Sequence, residues 1–442
     1  MSAAAVFSTP VSLAAFVALF AVAGALVLGL DSSRFPAWRA FALRWTRRLT
    51  GTPDLAWVDL PLVTLLAASA YAVAVIVFWS LGGYGCTPAG PSDLITLTTS
   101  GKAFVHGGNP FTITACGVGG NPVPAGMASV LLDALGATAG PAGVLVVWGA
   151  VSVALVPLVW SVAPERPKQA AVFVLASFLY LPIVAAQVDG ASLALVPLTV
   201  LLTLHLSRRG WGRAAAVGGF LATGRFPSLF PVLGATGRAG SRRIVVALAA
   251  VATFAAVTGA TFAVFGSRFT GPVFWLQFGR SNLALDYWGV LEGTGWLRPS
   301  TSLTVAQAVL TLALVAICWA RARSELGATA IVLTGAVLLT QYLSFTALVF
   351  LVPIALVSSR ARGWLWAIGV VASTNYLLAQ RALRAWGGPY SISYALDGLL
   401  TALLLAMLFE LVRKELDLSG LWPRGRRDTS TPGGPERPSA EG

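Results

Sequence analysis

The chain predicts an all-α fold, a polytopic transmembrane helix bundle of about 11–13 membrane segments. Three observations lead there. Of 442 residues, 56% are hydrophobic and only 11% are charged, a balance far from that of soluble domains. Apolar runs of membrane-crossing length recur from end to end. The 30 Lys and Arg, against 17 Asp and Glu, gather in short clusters between those runs, where basic residues set orientation. That distribution argues against a nucleic-acid partner despite the net charge of +13.

Val11 to Leu30 supplies about 20 apolar residues, enough to cross a hydrocarbon core of about 30 Å. No basic stretch precedes it, so it reads as a retained helix and not as a signal peptide. SRFPAWRAFALRWTRRLTG follows. There Trp38, Phe41, Trp45 and Leu49 recur at helical spacing opposite Arg34, Arg39, Arg44, Arg47 and Arg48, the pattern of a cytoplasmic interfacial helix. The N-terminus is then expected outside.

From that anchor the spans alternate. Val58 to Gly82 runs outward and opens an exterior loop, 81–127, in which short amphipathic helices are expected; Pro141 to Val162 returns to Arg166 and Lys168. Gln169 to Ala186 runs out, and Ala191 to Ser207 returns to Arg208, Arg209 and Arg213. Ala214 to Thr236 lies between that cluster and Arg238, Arg242 and Arg243, so both its ends belong on one side. It is too short for two full crossings and predicts two half-helices meeting near Gly224, Arg225 and Pro227. Ile244 to Gly266 opens a second exterior loop, Ser267 to Ser302. Leu303 to Ala320, Leu326 to Leu343 with Phe345 to Ser358 as a hairpin, Trp364 to Ala379, and Tyr394 to Leu411 complete the bundle. Residues 1–57 thus form an N-terminal helix with its interfacial helix, 58–413 the transmembrane core, and 414–442 a cytoplasmic tail expected to be disordered.

The long exterior loops carry the acids, amides and aromatics, so function is expected on the outer face. The chain has no Walker A or Rossmann glycine pattern, which argues against an ATP-driven machine. Asp93 is an isolated carboxylate close to where the preceding helix leaves the bilayer; Ser92 or Asp93 also fits the N-cap of a helix over Leu94 to Val105. Arg225, at the elbow of a broken segment, is costly in lipid and by default marks a functional cavity, with snorkelling to an interface as the plainer reading.

SDLITLTTSGKAFVHGGNPF, Ser92 to Phe111, resembles the first exterior loop of the family C (GT-C) integral-membrane glycosyltransferases. The likeness is to their polyprenol-phosphate-mannose-dependent, actinobacterial branch: an Asp after a membrane helix, a small-residue helix, then Gly-x-Asn-Pro-aromatic, here Gly107 to Phe111. AAQVDGASLALVPL, Ala185 to Leu198, and RAAAVGGFLATGRFPSLFPVL, Arg213 to Leu233, are similar to later family segments. Ala186, Arg225 and Leu97 depart from the residues common there.

The resemblance implies a GT-C-like fold and an inverting transfer of a sugar, mannose or alternatively arabinofuranose. The sugar would pass from a polyprenyl-phosphate donor to a cell-envelope glycolipid or polysaccharide at the outer face of the plasma membrane. Asp93 would be the single base. Arg225, Lys102, His106, Arg268 and Arg280 are the candidates for the donor phosphate. Asn109, Gln187 and Asp189 are the candidates for substrate contacts, with Asp189 also fitting a helix cap. Cys86 and Cys116 share the exterior loop, leaving a disulfide and two free thiols both open. No cofactor is expected and no metal-ligand spacing occurs, a divalent cation being left open. A secondary transporter or lipid flippase is the competing class. It predicts several acids at mid-membrane, whereas these acids group in the outer loops.

Overall fold

The computed structural model describes residues 58–80, 86–87, 90–91, 93–111, 114–115, 118–119, 126–164, 167–178, 192–266, 300–339, 345–375 and 391–417, with isolated positions elsewhere. The first predicted span, Gln187, Asp189, Arg268, Arg280, Cys116 and residues 418–442 of the C-terminal tail lie outside them, Lys414 and Glu415 at the start of that tail continue the last helix, and Cys86 is described by its backbone alone.

The described residues form an all-α bundle. Their only strands are two pairs of two-residue segments, Cys86–Thr87 with Gly90–Pro91 and Thr114–Ala115 with Val118–Gly119. In chain order the helices are α1 Leu60–Ser80, α2 Asp93–Val105, α3 Met127–Ala137, α4 Gly140–Val162, α5 Pro167–Ser177, α6 Leu195–Ser207, α7 Trp211–Ala222, α8 Leu229–Thr236, α9 Arg243–Phe265, α10 Thr301–Arg321, α11 Glu325–Leu339, α12 Ser359–Thr374 and α13 Ser391–Glu415. Short 3₁₀ segments, Ser192–Ala194 and Phe226–Ser228, lead into α6 and α8.

Among the described residues, four segments are long and apolar enough to cross a membrane: α1, α4, Gly240–Phe265 and Tyr394–Glu415. The outer helices confirm the solvent. Leu65 and Ile76 on α1 are 63% and 65% exposed, and Val245 and Val264 on α9 are 68% and 72% exposed. Apolar faces of that extent on helices of membrane-crossing length are what lipid covers, and the chain is a membrane-embedded protein. At the centre the burial reverses. Along α11, Gly327 to Leu338 are all buried, and α6 is buried on almost every side.

Several hydroxyls inside the bundle are satisfied within their own helices. Thr199, Thr203 and Thr334 donate to the carbonyls of Leu195, Thr199 and Ala330, so the polar atoms need no partner from lipid or water. Close helix approach rests on small residues. A methyl added at Gly136 would lie 2.5 Å from Gly143, and one at Gly219 would lie 2.3 Å from the carbonyl of Ala250.

Two expectations are revised. The span expected over Gln169 to Ala186 is helical from Pro167 but ends at Ser177, ahead of Pro182, which has no amide proton to continue a helix. Phe345–Leu356, expected as the second arm of a hairpin, is a 3₁₀ helix of 12 residues containing Pro353. At about 2.0 Å per residue it reaches roughly 24 Å, a third further than an α-helix of that length.

Candidate functional site

The site begins with the way α2 starts and stops. Asp93 is its first residue, placing the carboxyl at the N-terminal end of the helix. The stop is built from the Gly-x-Asn-Pro-Phe run. Gly107 adopts φ 76°, open to glycine, and the amides of Gly107 and Gly108 turn back to the carbonyls of Phe104 and Ala103 at 3.0 and 2.7 Å. The Asn109 side-chain oxygen then accepts from the amide of Phe111 at 2.9 Å, and the Ser100 hydroxyl donates to the carbonyl of Pro110 at 2.9 Å. Phe111 is thereby driven into an edge-on contact with Phe265 at the end of α9, ring centroids 5.6 Å apart. Asn109, expected as a substrate contact, here uses its oxygen to fold the loop.

The opposite wall is the broken segment. α7 ends at Ala222 and α8 starts at Leu229, with Arg225 extended between them at φ −149° and ψ 98°, as the flanking basic clusters predict. The elbow is clamped from outside. A methyl on Gly126 would sit 1.6 Å from the carbonyl of Thr223, and one on Gly224 would sit 2.1 Å from Leu195 and 3.1 Å from the amide of Ser129. The Thr223 hydroxyl donates to Phe220 and accepts from the amide of Ala128 at 3.3 Å, occupying one of the free amides at the start of α3. Helix α3 is therefore seated on the elbow through backbone contacts that no side chain could enter.

Three ionisable side chains come together as a result. Arg225 donates through Nε and Nη2 to the Ser192 hydroxyl at 3.1 and 2.7 Å. Its charge reaches the carboxyls of both Asp93 and Asp133. Asp93 keeps some surface open, yet protein atoms surround its carboxyl on most sides. The loss of water pushes its pKa up and the Arg225 guanidinium pulls it back, with a net rise above the ordinary carboxylate range. Asp133, on α3, is fully buried. Its Oδ1 accepts from Trp148 Nε1 of α4 at 2.8 Å, while Oδ2 has no hydrogen-bond partner. Burial raises its pKa well above the usual value, against the opposing pull of Trp148 and Arg225.

Among the sequence candidates, the structure brings together Asp93 and Arg225. Lys102 and His106 are exposed. Lys102 lies nine residues beyond Asp93, roughly 13 Å along the axis and half a turn round the helix. Gln187, Asp189, Arg268 and Arg280, and the pairing of Cys86 with Cys116, fall outside what is described. Sequence reasoning missed Asp133, Trp148 and Ser192. For Asp133 a signal existed: it is the only charge in the apolar run MASVLLDALGA. A serine carries none.

Among the described residues no group of three or more His, Cys, Asp or Glu is placed to hold a metal ion. The arrangement can accept a proton at Asp93 and stabilise an anion at Arg225. No known family model matches the chain, and no curated protein matches it significantly.

Proposed function

We propose that the protein is a membrane glycosyltransferase that moves a sugar, mannose first among candidates, from a polyprenyl-phosphate donor to a cell-envelope glycolipid or polysaccharide. Asp93 takes the proton from the acceptor hydroxyl. The oxygen attacks the anomeric carbon, the bond to the lipid phosphate breaks, and the sugar inverts in a single displacement. The leaving phosphate gathers charge where Arg225 is already held by Ser192 in a partly buried setting, so little reorganisation is needed as that charge develops.

The observation that carries this reading is the pairing of a half-buried carboxyl with a guanidinium at the break of a helix, the base and the anion site in one place. Placing that site at the outer face follows from the basic clusters, which put the N-terminus outside and the C-terminus inside. Nucleotide sugars do not reach that side, and a lipid-borne sugar does.

The test uses purified full-length protein in lipid nanodiscs with labelled mannosyl and arabinosyl polyprenyl phosphates. Transfer from one donor that disappears in Asp93→Asn, with thermal stability kept, supports the proposal. Undiminished transfer in that variant removes Asp93 from the chemistry.

A further inference from the structure

The buried acid of α3 has no part in the reaction just described, yet it shares the same arginine. Two carboxyls and one guanidinium cannot all be charged and all be balanced. Their surroundings differ in the way that separates such pairs. Asp93 has partial exposure. Asp133 has 0% exposure, one donor from Trp148, and a second oxygen with no hydrogen-bond partner. A charged carboxylate with a bare buried oxygen is among the costliest groups a fold can hold, whereas a neutral acid there loses a single hydrogen bond.

The other charges on the elements against α3 do not alter the balance. Lys102 of α2, Arg213 of α7 and Arg243 of α9 are exposed, and α4 contains no ionisable side chain. Besides its burial, what acts on Asp133 is the Trp148 hydrogen bond and the charge of Arg225. One turn before it on the same face of α3, the Ser129 hydroxyl is also buried and makes no hydrogen bond to Asp133, so the second carboxyl oxygen is left without a donor.

We propose that Asp133 is the neutral member of a carboxyl pair built around Arg225, a positioning residue whose retained proton reserves the guanidinium for Asp93 and for the departing lipid phosphate. This rests on the transferase reading for its purpose. The protonation itself does not depend on that reading. Were Asp133 ionised, it would compete for Arg225 and weaken the hold on the phosphate.

Infrared spectroscopy of the full-length protein near neutral pH tests the protonation directly. One carboxylic-acid carbonyl component is expected to be lost in the difference spectrum of Asp133→Asn and kept in Asp93→Asn, apart from whatever the buried Asp397 adds to the same region in all three. Should Asp133→Asn fail to fold, Trp148→Phe serves instead: losing the indole donor must shift the same band. Asp133→Asn keeps a neutral side chain of equal shape, so its transfer rate is expected within about threefold of wild type, with the acid limb of the pH–rate profile unmoved. A band unaffected by both variants overturns the proposal, and so does a hundredfold or greater loss of transfer in folded Asp133→Asn, which would make the acid's proton part of the chemistry. Failure of the transferase reading would show separately, as Asp93→Asn retaining full transfer while the infrared result stands.

Discussion

Arginine does opposite work at the two ends of this bundle. At the basic end Arg208 donates to the carbonyls of Ser161 and Val162 in the last turn of α4, Arg238 donates to Ala322, and Arg243 donates to Trp319. These exposed side chains satisfy carbonyls that helix ends leave open, and solvent screens them. At the other end Arg225 is half-buried at a break in a helix, bound to Ser192, and felt by two carboxyls. The same functional group is a tether where water reaches it and a tuned charge where water does not. Substitutions at the two ends should therefore separate by orders of magnitude in effect and by kind, in catalysis on one side and in modest stability on the other.

The sharpest way to break that contrast is Asp93→Asn. Transfer should fall by a factor of about 10² to 10⁴, with melting temperature little changed. The pH profile sharpens it further. A base works ionised, so the rate falls as pH drops through its pKa; because burial raises that of Asp93, the acid limb should lie above the value of about 4 expected of an ordinary carboxylate. Removing the opposing charge in Arg225→Gln should move the limb higher still. A limb at or below the ordinary range in wild type would contradict the buried setting of the carboxyl.

Arg225→Ala comes next, with an expected loss of about 10² to 10³ in turnover, the range seen when one preset donor to a developing anion is removed. Arg225→Lys should recover only part, since a single ammonium cannot reproduce the two-nitrogen grip on Ser192. Steady-state measurement of turnover and donor saturation separates this from misfolding. If alanine left turnover unchanged, the buried arginine would be a tether like the exposed ones.

Between chemistry and scaffold stand the glycines that seat α3 on the elbow. Gly126→Ala places a methyl 1.6 Å from the Thr223 carbonyl, so backbone must move on one side or the other. Overpacking of this kind costs about 1–3 kcal/mol. It should appear as a lower melting temperature together with slower transfer, because Asp93 and Asp133 approach Arg225 through this contact. Lost stability with intact transfer would show that the clamp and the site are independent.

The elbow was legible because charge is a one-dimensional signal: basic clusters on both flanks of Ala214 to Thr236 forbid a single crossing, and Pro227 marks the break. The helix starting at Asp93 was legible from its cap chemistry. What stayed hidden depends on contacts distant in sequence. Ser192 matters only because Arg225 folds back 33 residues to meet it, and Trp148 only because α4 lies beside α3. Asn109 adds a duty that the motif did not show: its side-chain oxygen closes a turn. The 3₁₀ course of Phe345–Leu356 was beyond reach, since an unbroken apolar run reads the same at three residues per turn as at 3.6.

The smallest effect is expected at the basic end, and it is the control that gives the others meaning. Glu410 accepts from Arg360 at 3.0 Å and from Lys414 at 3.1 Å, with Arg413 at 3.6 Å. One carboxylate faces three cations that are a third or more exposed, so each pair is weakened by solvent and by exchange among partners. Glu410→Gln should cost about 0–1 kcal/mol, read as a small drop in melting temperature that shrinks further in high salt, with transfer at the wild-type rate. If it instead impaired transfer as strongly as Arg225→Ala, the division of labour between the two ends would be lost, because a screened charge far from Asp93 would be acting on the site through the body of the bundle.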